Sequence, residues 1–232
     1  MTTPLSWREE PWSPCVPVAG VQRCTEPGND QQGEPELVQA IEGYRPVVDP
    51  GEILVLTGPP AAGKSTVAAL IVDQWDLSVH LQADYFQVEC IRSGYLKPWK
   101  PESHAQNTTV ARVFTSATAE YAKGGYSVVL EGIVGPWFVE LVAETFAGHD
   151  VAWHYAILLP THDTTLERNR SRSHSVEQEI LDKLHAEFTS HINGYEKHVV
   201  DSTHLDAGQT AESVYKKMEA GELRVRKGRS AG

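Results

Sequence analysis

The sequence predicts an α/β fold built on a parallel sheet, and three observations carry that prediction. Short apolar runs (Ile53–Leu56, Leu77–Leu81, Ser127–Leu130, Val151–Leu159) alternate with longer segments of helical period. Gly58-Pro59-Pro60-Ala61-Ala62-Gly63-Lys64-Ser65 reads G-x-x-x-x-G-K-S and sits between a strand-like run and a helical segment, the context this phosphate-binding motif requires. Asp84 and Glu131 fall, like the loop, at the carboxyl ends of strands, where ligands bind in parallel sheets.

The elements follow in order. Residues 1 to about 34 are rich in Pro, Gly, Glu and Gln, and over residues 1–50 acids outnumber bases by 8 to 3. Residues 1–50 are expected to be an extension that is partly disordered or wraps the domain. Trp7 and Trp12 favour wrapping, because exposed tryptophans are costly. Glu36–Tyr44 reads as a short helix. Ile53–Leu56 is continuously apolar and reads as a buried strand. Thr66–Trp75 follows as a helix and Leu77–Leu81 as a second strand. Ser103–Lys123 has Ser103 and Gln106 as a capping box and Val110, Val113, Phe114, Ala117 and Tyr121 on one face. Gly124-Gly125 stops it. After the third strand, Trp137–Ala147 is a helix, and Val151–Leu159 is the fourth strand. Thr164–Arg172 and Ser175–Ile192 are helices, with boxes at Thr164/Glu167 and Ser175/Gln178. Ile180, Leu181, Leu184 and Phe188 form the buried stripe of the second. His198–Asp201 is a short fifth strand, Gln209–Ala220 the last helix, and Gly221 its end. The domain is expected to span 51–221, followed by a basic tail over 222–232.

The loop supplies the first chemistry. Its glycines let successive backbone N–H groups point at a phosphate, and the following helix adds its positive end. Lys64 would reach the β- and γ-phosphates and the Ser65 hydroxyl would sit on Mg²⁺. Gly58, Ala61, Ala62, Gly63, Lys64, Ser65 and Thr66 are the candidate nucleotide-binding residues. Asp84 is either a base that takes the proton of an acceptor hydroxyl or the N-cap of a helix starting at Tyr85. Glu131 either orients water on Mg²⁺, contacts substrate, or merely bonds the following glycine. Arg168 and Arg172, four apart on one helix, share a face and could stabilise a transferring phosphoryl group; a solvated basic surface is the alternative. Tyr95 and Trp99, in a turn-rich stretch, could join Pro136-Trp137-Phe138 in an aromatic acceptor pocket, or simply plug the sheet edge.

With these residues in place, the sequence resembles the small bacterial P-loop kinases related to chloramphenicol phosphotransferase, gluconate kinase, adenylylsulfate kinase and the zeta-toxin sugar kinases. The resemblance runs from about Ile53 to Gly221 and is specific at Gly58–Thr66. Asp84 matches their acceptor-binding or base carboxylate, and Arg168 and Arg172 match the paired arginines of their lid. It implies a P-loop NTPase fold of five parallel strands sandwiched by helices, a mobile lid, ATP with Mg²⁺, and transfer to a small hydroxylated molecule. Lys64, Asp84, Arg168 and Arg172 become candidate catalytic residues. Asp84, Tyr85, Tyr95, Trp99, Glu131 and Trp137 become candidate substrate contacts, and Ser65 a metal ligand. Arg170-Ser171-Arg172 lacks the lid glycine of some relatives, and the long extension is unusual.

Composition narrows the class. A net charge of −11 argues against a general nucleic-acid binder, which needs clustered cations. No apolar run approaches a membrane span, and the N-terminus has no secretory pattern. Cys15, Cys24 and Cys90 have no metal-ligand spacing and suggest reduced thiols in the cytoplasm. The expected activity is a small-molecule kinase, with an antibiotic or nucleoside-like acceptor as one subclass and a housekeeping sugar or nucleoside kinase as another. A regulatory nucleotide switch without acceptor is the reading of a different class.

Overall fold

A computed structural model describes residues 49–173 and 175–225. Trp7, Trp12, Cys15, Cys24 and the helix expected at 36–44 lie outside the described residues. The strands are β1 (Ile53–Thr57), β2 (Ser78–Gln82), β3 (Ser127–Gly132), β4 (His154–Leu158) and β5 (Val199–Val200). They form one parallel sheet in the order β2-β3-β1-β4-β5. The helices are α1 (Lys64–Val72), α2 (Ala83–Val88), α3 (His104–Lys123), α4 (Val139–His149), α5 (His162–Arg170), α6 (Gln178–Ser190) and α7 (Ala207–Glu219).

β1 is buried on both faces, which is why its apolar residues run without alternation. Ile53 and Val55 face a core built with α3, α4 and Phe188 of α6, and Leu54 and Leu56 face a core built with α1 and α7. Three layers result, with the sheet between two sets of helices. β2 is an edge strand and alternates: Val79 and Leu81 pack on the first core, while Ser78, His80 and Gln82 take the other direction.

Several sequence expectations are corrected. The buried face of α3 is Val110, Ala111, Phe114, Thr115, Thr118, Ala119 and Ala122; Val113 and Tyr121 are exposed. Ser103 is no capping-box residue, since its hydroxyl donates to the carbonyls of Pro98 and Lys100 and Gln106 brackets the backbone of Leu96. α5 begins earlier than expected and is capped by Thr161, not Thr164. α6 begins at Gln178 without a side-chain cap. The capping box that does form joins Asp206 and Gln209 at α7. The segment expected to leave as a tail at Glu222 is fixed as far as residue 225. Leu223 is fully buried, its carbonyl accepts from Tyr155 N (2.9 Å), and Val225 N donates to Trp153 O (3.1 Å).

Two buried histidines are expected to make the domain acid-sensitive. Burial lowers the pKa of His154, opposed by Glu52, whose carboxylate lies 3.1 Å from Nε2. Burial also lowers that of His198, opposed by the bond from Nδ1 to the Tyr155 carbonyl (2.9 Å). A folded-state pKa below the unfolded one means stability is present in full above about 6.5 and is lost as pH falls through the lowered values. The melting temperature is expected to drop between about pH 7 and pH 5, and to drop less when both histidines are replaced by Asn. A wild-type profile that stays flat over this range contradicts the assignment.

Candidate active site

The loop after β1 is shaped by backbone that other residues tolerate poorly. Gly58 has φ 148°, and a Cβ there would stand 2.2 Å from the Leu158 carbonyl oxygen. Gly63 has φ 99° and is the N-cap of α1, so the helix starts at Lys64, two residues before the expected start. The Lys64 ammonium bends back to donate to the Gly58 (3.1 Å) and Pro59 (3.0 Å) carbonyls. Burial lowers its pKa, against the raising effect of Glu131 and Asp84.

Glu131 is drawn into the loop. It lies on β3 opposite Leu56, and its Oε1 accepts from Ser65 Oγ at 2.8 Å. Burial pushes its pKa up, but His80, the Ser65 hydroxyl and the Lys64 charge outweigh that and hold it below the ordinary value. His80 Nε2 stands 3.8 Å from Oε1, at ion-pair distance and beyond hydrogen-bond reach. Of the readings open for Glu131, the contact with the following glycine is not made; the carboxylate bonds Ser65 instead. His80 was not foreseen; the polar alternation Ser78-His80-Gln82 along β2 was its available signal.

A cavity of about 450 Å³ opens over the loop. Ala61, Gly63, Lys64, Ser65, Thr66, Asp84, Glu131, Arg168 and Arg172 line it, so most expected loop and catalytic residues converge. Gly58 and Ala62 do not line it: Gly58 makes the turn and Ala62 is buried in the core beneath. Asp84 is in the first turn of α2, whose N-cap is Gln82, so the capping role fails for Asp84. Asp84 is exposed toward the cavity, while the surrounding protein still partly desolvates its carboxyl. That partial burial raises its pKa; Lys64 opposes it, Glu131 adds to it, and Arg172 opposes it.

A second cavity, about 290 Å³, adjoins the first, sharing Pro60, Asp84, Ile133 and Val176 with it. Tyr95, Trp99, Trp137 and Phe138 line it, and Pro136 does not. Tyr85 lines neither cavity and is 59% exposed, so it drops from the candidate contacts.

The arginines behave differently from one another. Arg168 is tied by Nη1 to the Ala62 carbonyl (3.4 Å) and by Nη2 to those of Ser202 (2.8 Å) and Leu205 (3.3 Å). It clasps the P-loop to the segment after β5. Arg172 lies beyond the end of α5, exposed at the mouth of the first cavity. Asn169 holds the intervening turn, exchanging both of its amide groups with the backbone of Val176 (2.8 and 3.0 Å). Arg168→Ala is therefore expected to destabilise the domain by roughly 1–3 kcal/mol through lost partners of part-buried carbonyls. An unchanged urea midpoint would contradict the clasp.

The comparisons agree with this geometry. A family profile described as an AAA domain (AAA_33) matches residues 53–191. No curated protein matches the sequence. Among solved structures, a sugar kinase from Janibacter sp. HTCC2649 is 17% identical, with a TM-score of 0.59 over 73% of this chain and 95% of that one. The tunicamycin resistance protein of Deinococcus radiodurans is 17% identical, with a TM-score of 0.53 over 76% and 99%. Shikimate kinase from Bacteroides thetaiotaomicron is 18% identical, with a TM-score of 0.53 over 74% and 99%. At these identities the likeness is one of fold, and it is the fold of small P-loop kinases. With its P-loop, its five parallel strands and more than half its length matched, the chain belongs to the AAA domain family.

Proposed function

We propose that the protein is an ATP-dependent phosphotransferase that moves the γ-phosphate to a hydroxyl of a small molecule. One observation carries this: Asp84 lines both the cavity over the P-loop and the apolar cavity beside it. A carboxylate at the junction of a phosphate site and an organic site is where an acceptor hydroxyl must be held for in-line attack.

The residues fit the nucleotide and its metal. The loop offers backbone N–H groups and the Lys64 ammonium to phosphate. Ser65 Oγ and Glu131 Oε1, 2.8 Å apart, are hard oxygen donors of the kind Mg²⁺ accepts, directly or through water. When bound, the metal would supply charge neutralisation at the β- and γ-oxygens. Lys64 must leave the Gly58 and Pro59 carbonyls to reach phosphate. Asp84 orients the attacking hydroxyl and takes its proton late, and Arg172, free of the clasp that holds Arg168, is placed to approach the transferred group.

The aromatic lining of the second cavity favours an antibiotic or nucleoside-like acceptor over a sugar, as a subclass of the same reading. Incubation with γ-labelled ATP, Mg²⁺ and a panel of hydroxylated compounds tests the activity. Label should appear in an acceptor. Slow hydrolysis with no labelled acceptor would instead identify a regulatory nucleotide switch.

A further inference from the structure

The polar groups facing the second cavity are biased in charge. Carboxylates face it from two elements, Asp84 on α2 and Glu187 on α6. Among the described residues no Lys, Arg or His lines it. The nearby cations are held by other partners: the Lys97 ammonium lies over the Trp99 ring, 5.5 Å from its centroid, and Lys97 itself does not line the cavity. Lys64 and Arg172 belong to the phosphate cavity, while Lys183 donates to the Trp99 carbonyl at 3.3 Å and pairs with Glu187 at 3.8 Å. The amides are largely committed too. Gln87 Nε2 donates to Asn107 Oδ1 (2.8 Å), and Asn107 Nδ2 donates to the Pro98 carbonyl (2.8 Å) and Ser103 Oγ (3.0 Å). Gln87 therefore presents chiefly its acceptor oxygen to a ligand. The Tyr95 phenol is close enough to Asp84 for that charge, after burial, to raise its pKa.

The remaining wall is apolar and aromatic: Trp99, Trp137, Phe138, Phe114 and Leu184. Trp137 packs tilted on Phe188 and edge-on against His191, with ring centroids 5.2 and 5.5 Å apart. An alcohol bearing a carboxylate or phosphate would find no cation in the lining and would meet Asp84, with Glu187 already paired to Lys183, losing its hydration without a counter-charge. A neutral alcohol loses nothing of that kind. An amine gains, because carboxylates and aromatic faces both attract a cation.

We propose that the acceptor is an alcohol with an aromatic or alicyclic body that is neutral or carries an amine, and that the cavity rejects carboxylated and phosphorylated alcohols. This deepens the phosphotransferase reading and rests on it for the reaction. There, the acceptor oxygen bonds to the γ-phosphorus as the bond from that phosphorus to the β–γ bridging oxygen breaks. The hydroxyl proton passes to Asp84, and ADP departs with the electron pair. The cavity's selectivity among ligands needs no nucleotide.

The test separates the two. The full chain without nucleotide is titrated calorimetrically into the millimolar range with tyrosol, tyramine and hydroxyphenylacetate, which share a ring and differ in end charge. Tyrosol and tyramine are expected to bind at least ~10-fold more tightly than hydroxyphenylacetate, the scale of one uncompensated charge. Trp99→Ala should weaken both, and Gln87→Arg should improve hydroxyphenylacetate. Equal or tighter binding of hydroxyphenylacetate to the wild type, or no binding of tyrosol and tyramine, overturns the proposal. Labelled transfer is scored separately on the same compounds and on carboxylated and phosphorylated alcohols. Transfer confined to the anionic acceptors keeps the kinase and sinks this selectivity. Selective binding with no transfer to any acceptor supports the cavity's ligand class and sinks the phosphotransferase.

Discussion

Lys64→Ala is expected to lose at least ~10²-fold in phosphate transfer, the cost of one donor aimed at developing charge, with the fold intact. The side chain belongs to neither hydrophobic core, and its partners are two carbonyls of its own loop. Both carbonyls belong to buried residues, so the lost ammonium costs roughly 1–3 kcal/mol, less than is needed to unfold a domain. The carboxylates of Asp84 and Glu131, which oppose the burial of Lys64, lose a compensating charge in the variant. The expected signature is a modest change in melting temperature beside a collapse of nucleotide affinity or rate. Near-wild-type turnover by the folded variant would exclude this loop as the working site.

Asp84→Asn is the sharper experiment. A general base contributes about 10²- to 10⁴-fold, and Asn keeps the shape while refusing the proton. Since Gln82 caps α2, no capping function is at stake. The stability effect has a definite sign. Burial raises the Asp84 pKa, so the stability tied to its neutral form is complete below the ordinary carboxylate range and is lost as pH rises through the raised value. At neutral pH the ionised group is a net cost, and Asn should leave the melting temperature unchanged or higher. The wild-type rate should rise with pH through a value above 3.8, and that limb should vanish in the variant. A variant that transfers phosphate within a few-fold of wild type makes Asp84 a bystander, with Glu131 the next base to test.

How far the sequence could be read depends on the range of the interactions involved. The P-loop was legible because its requirements are local: glycines at fixed offsets, a buried strand before and a helix after. The strands were legible because burial on both faces leaves continuous apolar runs. Glu131 was placed at the right edge, but its bond to Ser65, 66 residues away in sequence, has no local signal. The clasp made by Arg168 was illegible for the same reason: its three carbonyl partners come from two distant segments. The capping boxes at Ser103, Thr164 and Ser175 failed because spacing alone does not say which partner a hydroxyl will take. At Ser103 the turn before the helix offered carbonyls closer to hand. The second cavity was anticipated from its aromatic residues, whereas Gln87, Asn107 and Glu187 come from three separate helices and join it only in three dimensions.

The strand order has a consequence for how the chain is made. β1 lies at the centre of the sheet and pairs with β3 and β4, never with β2, the next strand in sequence. Its residues leave the ribosome first among the strands and meet no partner until residues 127–132 have followed. At the usual pace of translation that interval lasts roughly 3 to 14 s. Throughout it, Ile53-Leu54-Val55-Leu56 is an unpaired apolar segment of high β-propensity, the kind that seeds intermolecular sheets. A nascent chain stalled before residue 127 would thus be a client for holding chaperones, and a fragment ending there would aggregate, while a chain extended through β4 can bury the same four residues in its own sheet.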